Sequence, residues 1–197
     1  MQVGATIFSE EGYVRVTQIY VEVEYGVSRE TLRPNAAGDE TAIPTQYPDS
    51  TYHWDKVDEV EADDDTTYVS SVDSGAWQRD LYNLPAHSVG SGTISKITIH
   101  LRIYYGNIDD YAKACLKTGG TVYESGNLPR TVSAWKSASW EQATNPKTGV
   151  AWTWDDIDAL QVGATIFSEG GHVRVTQIYV EVEYGASSYS QHIMLWG

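Results

Sequence analysis

One cysteine, Cys115, stands alone in 197 residues, so no intrachain disulfide can brace the fold. Basic residues are scarce: 13 Lys and Arg face 27 Asp and Glu, a net charge of −14. That balance repels nucleic acid and anionic membranes, so neither is an expected partner. No apolar run is long enough to span a bilayer, so membrane insertion is not expected. A basic stretch followed by an apolar one is also missing, so the sequence shows no signal peptide. Catalytic signatures are lacking too. Gly90-Ser91-Gly92 lacks the spacing of a nucleophile elbow, and His53, His87, His100, His172 and His192 show no metal-ligand spacing. The chain is therefore expected not to be an enzyme, and to need no cofactor unless calcium is bound.

Two stretches of the chain are nearly the same. Residues 1–26 and 160–185 differ only at Met1/Leu160, Glu11/Gly170 and Tyr13/His172, at a constant offset. Each copy reads as a β-hairpin. In the second copy Val162, Ala164 and Ile166 alternate along one arm, and Ser168-Glu169-Gly170-Gly171 supplies a turn. The other arm changes parity across Thr176-Gln177, from Val173 and Val175 to Ile178, Val180, Val182 and Tyr184. A bulge there restores one buried face and leaves Tyr179, Glu181 and Glu183 toward water. About eight apolar side chains represent on the order of 10 kcal/mol of gross burial, so the pair must dock on a larger sheet.

Between the copies, residues 93–105 alternate most clearly. Ile97, Ile99, Leu101, Ile103 and Tyr105 share one face, while Lys96, Thr98, His100 and Arg102 share the other. Further strands are expected over 31–34, 51–57, 66–72, 77–84, 111–118, 121–125 and 131–140. Residues 35–50 read as a long loop and 58–65 as an acidic one. One short helix is expected near 153–160, with Thr153 as cap and Asp156 three residues on. The pattern predicts an all-β chain: an antiparallel β-sandwich of jelly-roll type over 27–185, an extra N-terminal hairpin over 1–26, and a tail over 186–197.

The phrases TLRPNAAGDET, DDDTTYVSS, LYNLP, KITIHLRIYY and NPKTGVAWTWDDIDALQVGA…RVTQIYVEVEY occur together. In that combination the chain resembles, over about residues 31–184, a β-sandwich module that recurs, often in tandem, in tailed-phage and prophage structural proteins and in bacterial surface or filament proteins. The resemblance implies an extracellular, cell-surface or virion location and a structural or adhesive role. Its motifs are structural rather than catalytic.

Two readings of the duplication stay open. Residues 1–26 either end a preceding repeat or act as a donor that docks on a neighbouring sandwich. The donor reading makes the chain its own partner in a head-to-tail filament, with Val3, Ala5, Ile7, Val14, Val16, Ile19, Val21 and Val23 at the interface. The alternative is a carbohydrate-binding adhesion module. Seven Trp and fourteen Tyr against two Phe favour amphipathic aromatic surfaces, and Trp54, Trp77, Trp135 and Trp140 are the candidate sugar platforms. Asp63, Asp64 and Asp65 form a candidate Ca²⁺ loop, although the EF-hand spacing is missing. The Glu181/Glu183 pair, matched by Glu22/Glu24, reads as a solvated strand face.

Overall fold

The structure, a computed structural model, describes residues 12–13, 26–50, 52–89 and 92–185. The described strands are β1 (Val27–Leu32), β2 (Ala36–Thr41), β3 (Thr45–Tyr47), β4 (Tyr68–Ser70), β5 (Trp77–Asn83) and β6 (Thr93–Tyr105). They continue with β7 (Tyr111–Thr118), β8 (Thr121–Glu124), β9 (Trp135–Gln142), β10 (Gln161–Phe167) and β11 (Val173–Gly185). One helix, α1 (Trp154–Asp158), precedes β10.

These strands form two antiparallel sheets. One runs β3-β4-β11-β6-β9, with β1 pairing the far stretch of β11. The other runs β2-β5-β10-β7-β8. The alternation in β6 turns Ile97, Ile99, Leu101 and Ile103 inward, where they meet Val162, Ala164 and Ile166 of β10 in one core. This is the antiparallel sandwich of jelly-roll type that the alternation predicts.

The hairpin expected over 160–185 does not form. β10 pairs with β5 and β7 in one sheet, whereas β11 pairs with β6, β4 and β1 in the other. Residues 168–172 cross from sheet to sheet. Ser168 Oγ donates to buried Asp110, and the Gly170 N–H donates to Asp73 Oδ1 at 2.7 Å. Alternation cannot separate the two cases. In a hairpin the apolar faces of the arms look the same way, and in a crossing they look at each other through the core, yet the one-dimensional pattern is identical.

The bulge is where the parity change puts it. The β11–β6 register shifts between Val175 and Gln177, and just beyond it the Ile178 N–H, between the stretches of β11 that pair with β4 and with β1, donates to the Val57 carbonyl at 2.7 Å. That carbonyl follows a single 3-10 turn (Trp54–Lys56), which stands among residues 52–57 in place of the strand expected over 51–57. Tertiary demand overrides strand propensity there. Residues 35–50 hold β2 and β3 instead of an unbroken loop. Both are short polar edge strands, secured by backbone pairing to β5 and β4, so they show no hydrophobic periodicity. The strand expected over 131–140 starts later, at Trp135.

Helix α1 has the expected cap. The Asp156 N–H donates to Thr153 Oγ1, and the Thr153 N–H donates back to the Asp156 carboxylate. Ile157 and Leu160 then seat inward and lead the chain into β10.

Candidate functional site

The outer face of the five-stranded sheet carries side chains in rows across its strands. Cross-strand register sets Trp77, Phe167 and Tyr111 in one row, from β5, β10 and β7. Arg79, Thr165 and Lys113 follow in the next polar row. Neighbouring side chains on one sheet face stand two residues apart along each strand, so the two rows lie side by side. Glu124 on β8 and Glu40 on β2 close the polar row from either edge.

The aromatic row is continuous. The Trp77 and Phe167 rings sit 5.4 Å apart, and those of Phe167 and Tyr111 sit 6.1 Å apart, both tilted. Arg130 covers Tyr111, and the Lys113 ammonium lies 4.3 Å from the Trp77 ring centre. Trp77 nevertheless remains 44% exposed, unusual for so large an apolar group.

The polar row is a closed network. Arg79 grips Glu40 with Nε and Nη2 at 2.7 and 3.1 Å and reaches Glu124 with Nη1 at 3.1 Å. Lys113 Nζ donates to Glu124 at 3.0 Å, and Thr165 Oγ1 donates to it at 2.7 Å. Burial works against ionising Glu124, but hydrogen bonds from Thr165, Lys113 and Arg79 outweigh it and hold its carboxyl below the usual value. A general acid needs the opposite shift, so this carboxylate is built to accept hydrogen bonds rather than to deliver protons. The Arg79 guanidinium is held charged, chiefly by its bond to Glu40.

Together Glu40, Ala42, Trp77, Arg79, Lys113, Glu124 and Thr165 line a cleft of about 330 Å³. No family model matches the chain, and no curated protein matches it either. Among solved structures, the chain is similar to a carbohydrate-binding module, CBM35 from Cellvibrio japonicus Abf62. The identity is 11%, the match covers 83% of this chain and 97% of that one, and the TM-score is 0.43.

The four candidate tryptophans do not share a surface. Trp77 lines the cleft, whereas Trp54 and Trp140 pack against the core. Trp135 tilts against Tyr104 on the six-stranded sheet. The cleft's remaining polar residues are not named by the sequence because they come from five strands whose order the sequence does not reveal. The one available signal was local: Trp77 and Arg79 share a parity, as do Tyr111 and Lys113.

The three loop carboxylates are likewise not gathered around a common centre. Asp63 accepts from the Thr67 N–H and from Thr176 Oγ1, Asp64 takes a two-point grip from Arg102, and Asp65 pairs with Arg174. Each serves a different partner and ties the loop to β6 or β11. Among the described residues no group of three or more His, Cys, Asp or Glu could hold a metal ion. The calcium expectation for Asp63, Asp64 and Asp65 therefore gains no geometric support. Glu181 and Glu183 stand in a charged outer row, facing His100 and Arg29. The interface candidates Val3, Ala5, Ile7, Val14, Val16, Ile19, Val21 and Val23 lie outside the described residues.

A second hollow of about 230 Å³ lies beside His53, lined also by Pro44, Thr45, Gln46 and Asp49. Fully buried Asp80 accepts from the Ile43 N–H and from Tyr82 Oη and lies 2.6 Å from His53 Nδ1. The lining hydroxyl, Thr45 Oγ1, donates to the Ser70 carbonyl instead of to His53. This arrangement pins the β2–β3 segment to β5, and among the described residues its histidine holds no nucleophile.

Proposed function

We propose that this chain is a non-enzymatic carbohydrate-binding module and that the Trp77 cleft receives the sugar. One observation carries the reading: Trp77, 44% exposed, stands beside a row of polar groups already locked in place. A sugar ring offers C–H faces that pack on an aromatic surface and hydroxyls that both donate and accept. Arg79 and Lys113 supply donors and Glu40 and Glu124 supply acceptors, while buried Thr165 holds Glu124 in place. Two cations and two carboxylates balance within the cleft, which favours a neutral sugar over a uronic acid or an amino sugar. Preformed hydrogen bonds spare the ligand the cost of ordering the site.

A glycan array with the full chain, followed by calorimetry on any hit, tests this. Trp77→Ala is expected to weaken binding about tenfold or more. Trp135→Ala, on the other sheet, should leave affinity unchanged. An array with no neutral-glycan hits, or equal affinity in Trp77→Ala, removes the reading. A cell-surface or virion location belongs to the same adhesive proposal.

Head-to-tail self-assembly through residues 1–26 is the second reading, and the duplicated strand pair is what favours it. Its form changes because β10 and β11 lie in different sheets. A donor equivalent to them must fill two places in a neighbour, one per sheet, rather than add a hairpin to one edge. Filaments in the electron microscope that vanish on deletion of residues 1–26 are the expected outcome of that reading.

A further inference from the structure

The place held by β10 and β11 is written twice in this chain. The strands that pair with them, β1, β4, β5, β6 and β7, all lie within residues 27–159. Every neighbour needed to receive such a strand pair is therefore present without residues 160–185. The place is demanding. A Cβ at Gly163 would stand 1.8 Å from the Asp80 carbonyl oxygen, and one at Gly171 would stand 2.8 Å from the Asp110 carboxylate. Ser168 Oγ must donate to buried Asp110 Oδ1. Residues 1–26 meet each demand, with Gly4, Gly12 and Ser9 at the equivalent positions.

The connection also fits. β1 pairs with β11 so that Ser28 lies opposite Tyr184 and Val27 opposite Gly185. Put Tyr25 where Tyr184 stands, and Tyr25 and Ser28 become the closing pair of a two-residue turn, Gly26-Val27. Glycine at the first turn position is what a type II′ hairpin prefers. The N-terminal copy can thus occupy the place within its own molecule, with no added linker and no change in β1 register.

We propose that residues 1–26 are a second occupant of the β10–β11 place in their own chain, in exchange with residues 160–185. The C-terminal copy holds the place in this structure, where His172 stacks on Tyr104 while its counterpart Tyr13 is fully exposed. The sequence differences account for that preference. Gly170 has a φ of +74°, and its counterpart is Glu11, which pays a steric penalty in that left-handed region. Buried Leu160 is matched by Met1, a change that cores tolerate well. The left-handed penalty alone makes the N-terminal copy the weaker occupant by on the order of tenfold. Exchange rebuilds the Trp77 cleft with Thr6 and Phe8 in place of Thr165 and Phe167, so this inference stands apart from glycan binding.

Full-length variants test it. Gly163→Val bars the C-terminal copy and leaves Gly4 free to serve. Its expected behaviour is a cooperative melt, native near-UV dichroism and monomeric elution. Gly4→Val alone should be silent, and Gly4→Val/Gly163→Val should lose the cooperative fold. Adding Glu11→Gly to Gly163→Val should raise the folded-to-unfolded ratio about tenfold. The proposal is overturned if Gly163→Val unfolds as fully as the double variant. It is equally overturned if the double variant stays folded, since the clash then relaxes locally. A Gly163→Val protein that folds only as a dimer or polymer also overturns it, in favour of docking between molecules.

Discussion

Glu59 makes this fold sensitive to pH, and replacing it by glutamine should remove that sensitivity. Its Oε1 accepts from Thr67 Oγ1, while its Oε2 is buried with no hydrogen-bond partner among the described residues. Burial is the main cause that pushes its carboxyl up from 4.5 to about 7; Asp63 and Asp58 add to the rise, and the bond from Thr67 opposes it. Below pH 4.5 the group is neutral in both the folded and unfolded chains and contributes no difference. Between pH 4.5 and about 7 the unfolded chain releases the proton first, so stability falls as pH rises. Above pH 7 the loss is complete and constant. The full linkage corresponds to about 3.4 kcal/mol. Glu59 is only half-buried, and solvent screening reduces this to roughly 1–2 kcal/mol. Glu59→Gln keeps the acceptor for Thr67, places a donor at the unpartnered oxygen, and has no proton to lose. Urea unfolding at pH 4, 6 and 8 should show the variant more stable by about 1–2 kcal/mol at pH 8, with the advantage gone at pH 4. Parallel pH profiles for the two proteins would refute the reasoning.

The buried Cys115 thiol, pushed up to about 12 mainly by burial, should resist a disulfide reagent at pH 8 until urea unfolds the chain; rapid labelling in native buffer would contradict that placement. Thr153→Ala removes the cap of α1 and should cost about 1 kcal/mol in a chemical melt, with Thr153→Ser restoring most of it. If alanine and serine melt together, the capping bond contributes nothing measurable.

Much of the β6 environment was legible from the sequence. A strict period of two over 93–105 names its buried face, and the parity break at Thr176-Gln177 names the bulge. The capping pair Thr153 and Asp156 was readable for the same reason, since each signal lies within a few residues of chain. The edge strands β2 and β3 were not legible, because backbone pairing to β4 and β5 holds them without an apolar face. The 3-10 turn at Trp54 was also hidden, since the Val57 carbonyl that follows it accepts from the Ile178 N–H, more than a hundred residues away.

For the site, the sequence named Trp77 as a candidate but placed it among three tryptophans that face elsewhere. Only strand order brings Glu40, Arg79, Thr165, Lys113 and Glu124 beside it, because β2, β5, β10, β7 and β8 are neighbours in space and scattered along the chain. The acidic loop shows the same limit. Composition puts three aspartates side by side, and the fold sends them to Thr176, Arg102 and Arg174 on β11 and β6.

By itself the sequence determined the class of the fold, its longest strand, its bulge and the existence of two copies of one 26-residue stretch. These rest on local periodicity and on identity, which need no third dimension. Only the tertiary structure decided that β10 and β11 are divided between two sheets, and hence what a second copy must fit. The apolar faces of a hairpin and of a crossing read alike along the chain, and hydrogen-bond partners separated by dozens of residues are what distinguish them.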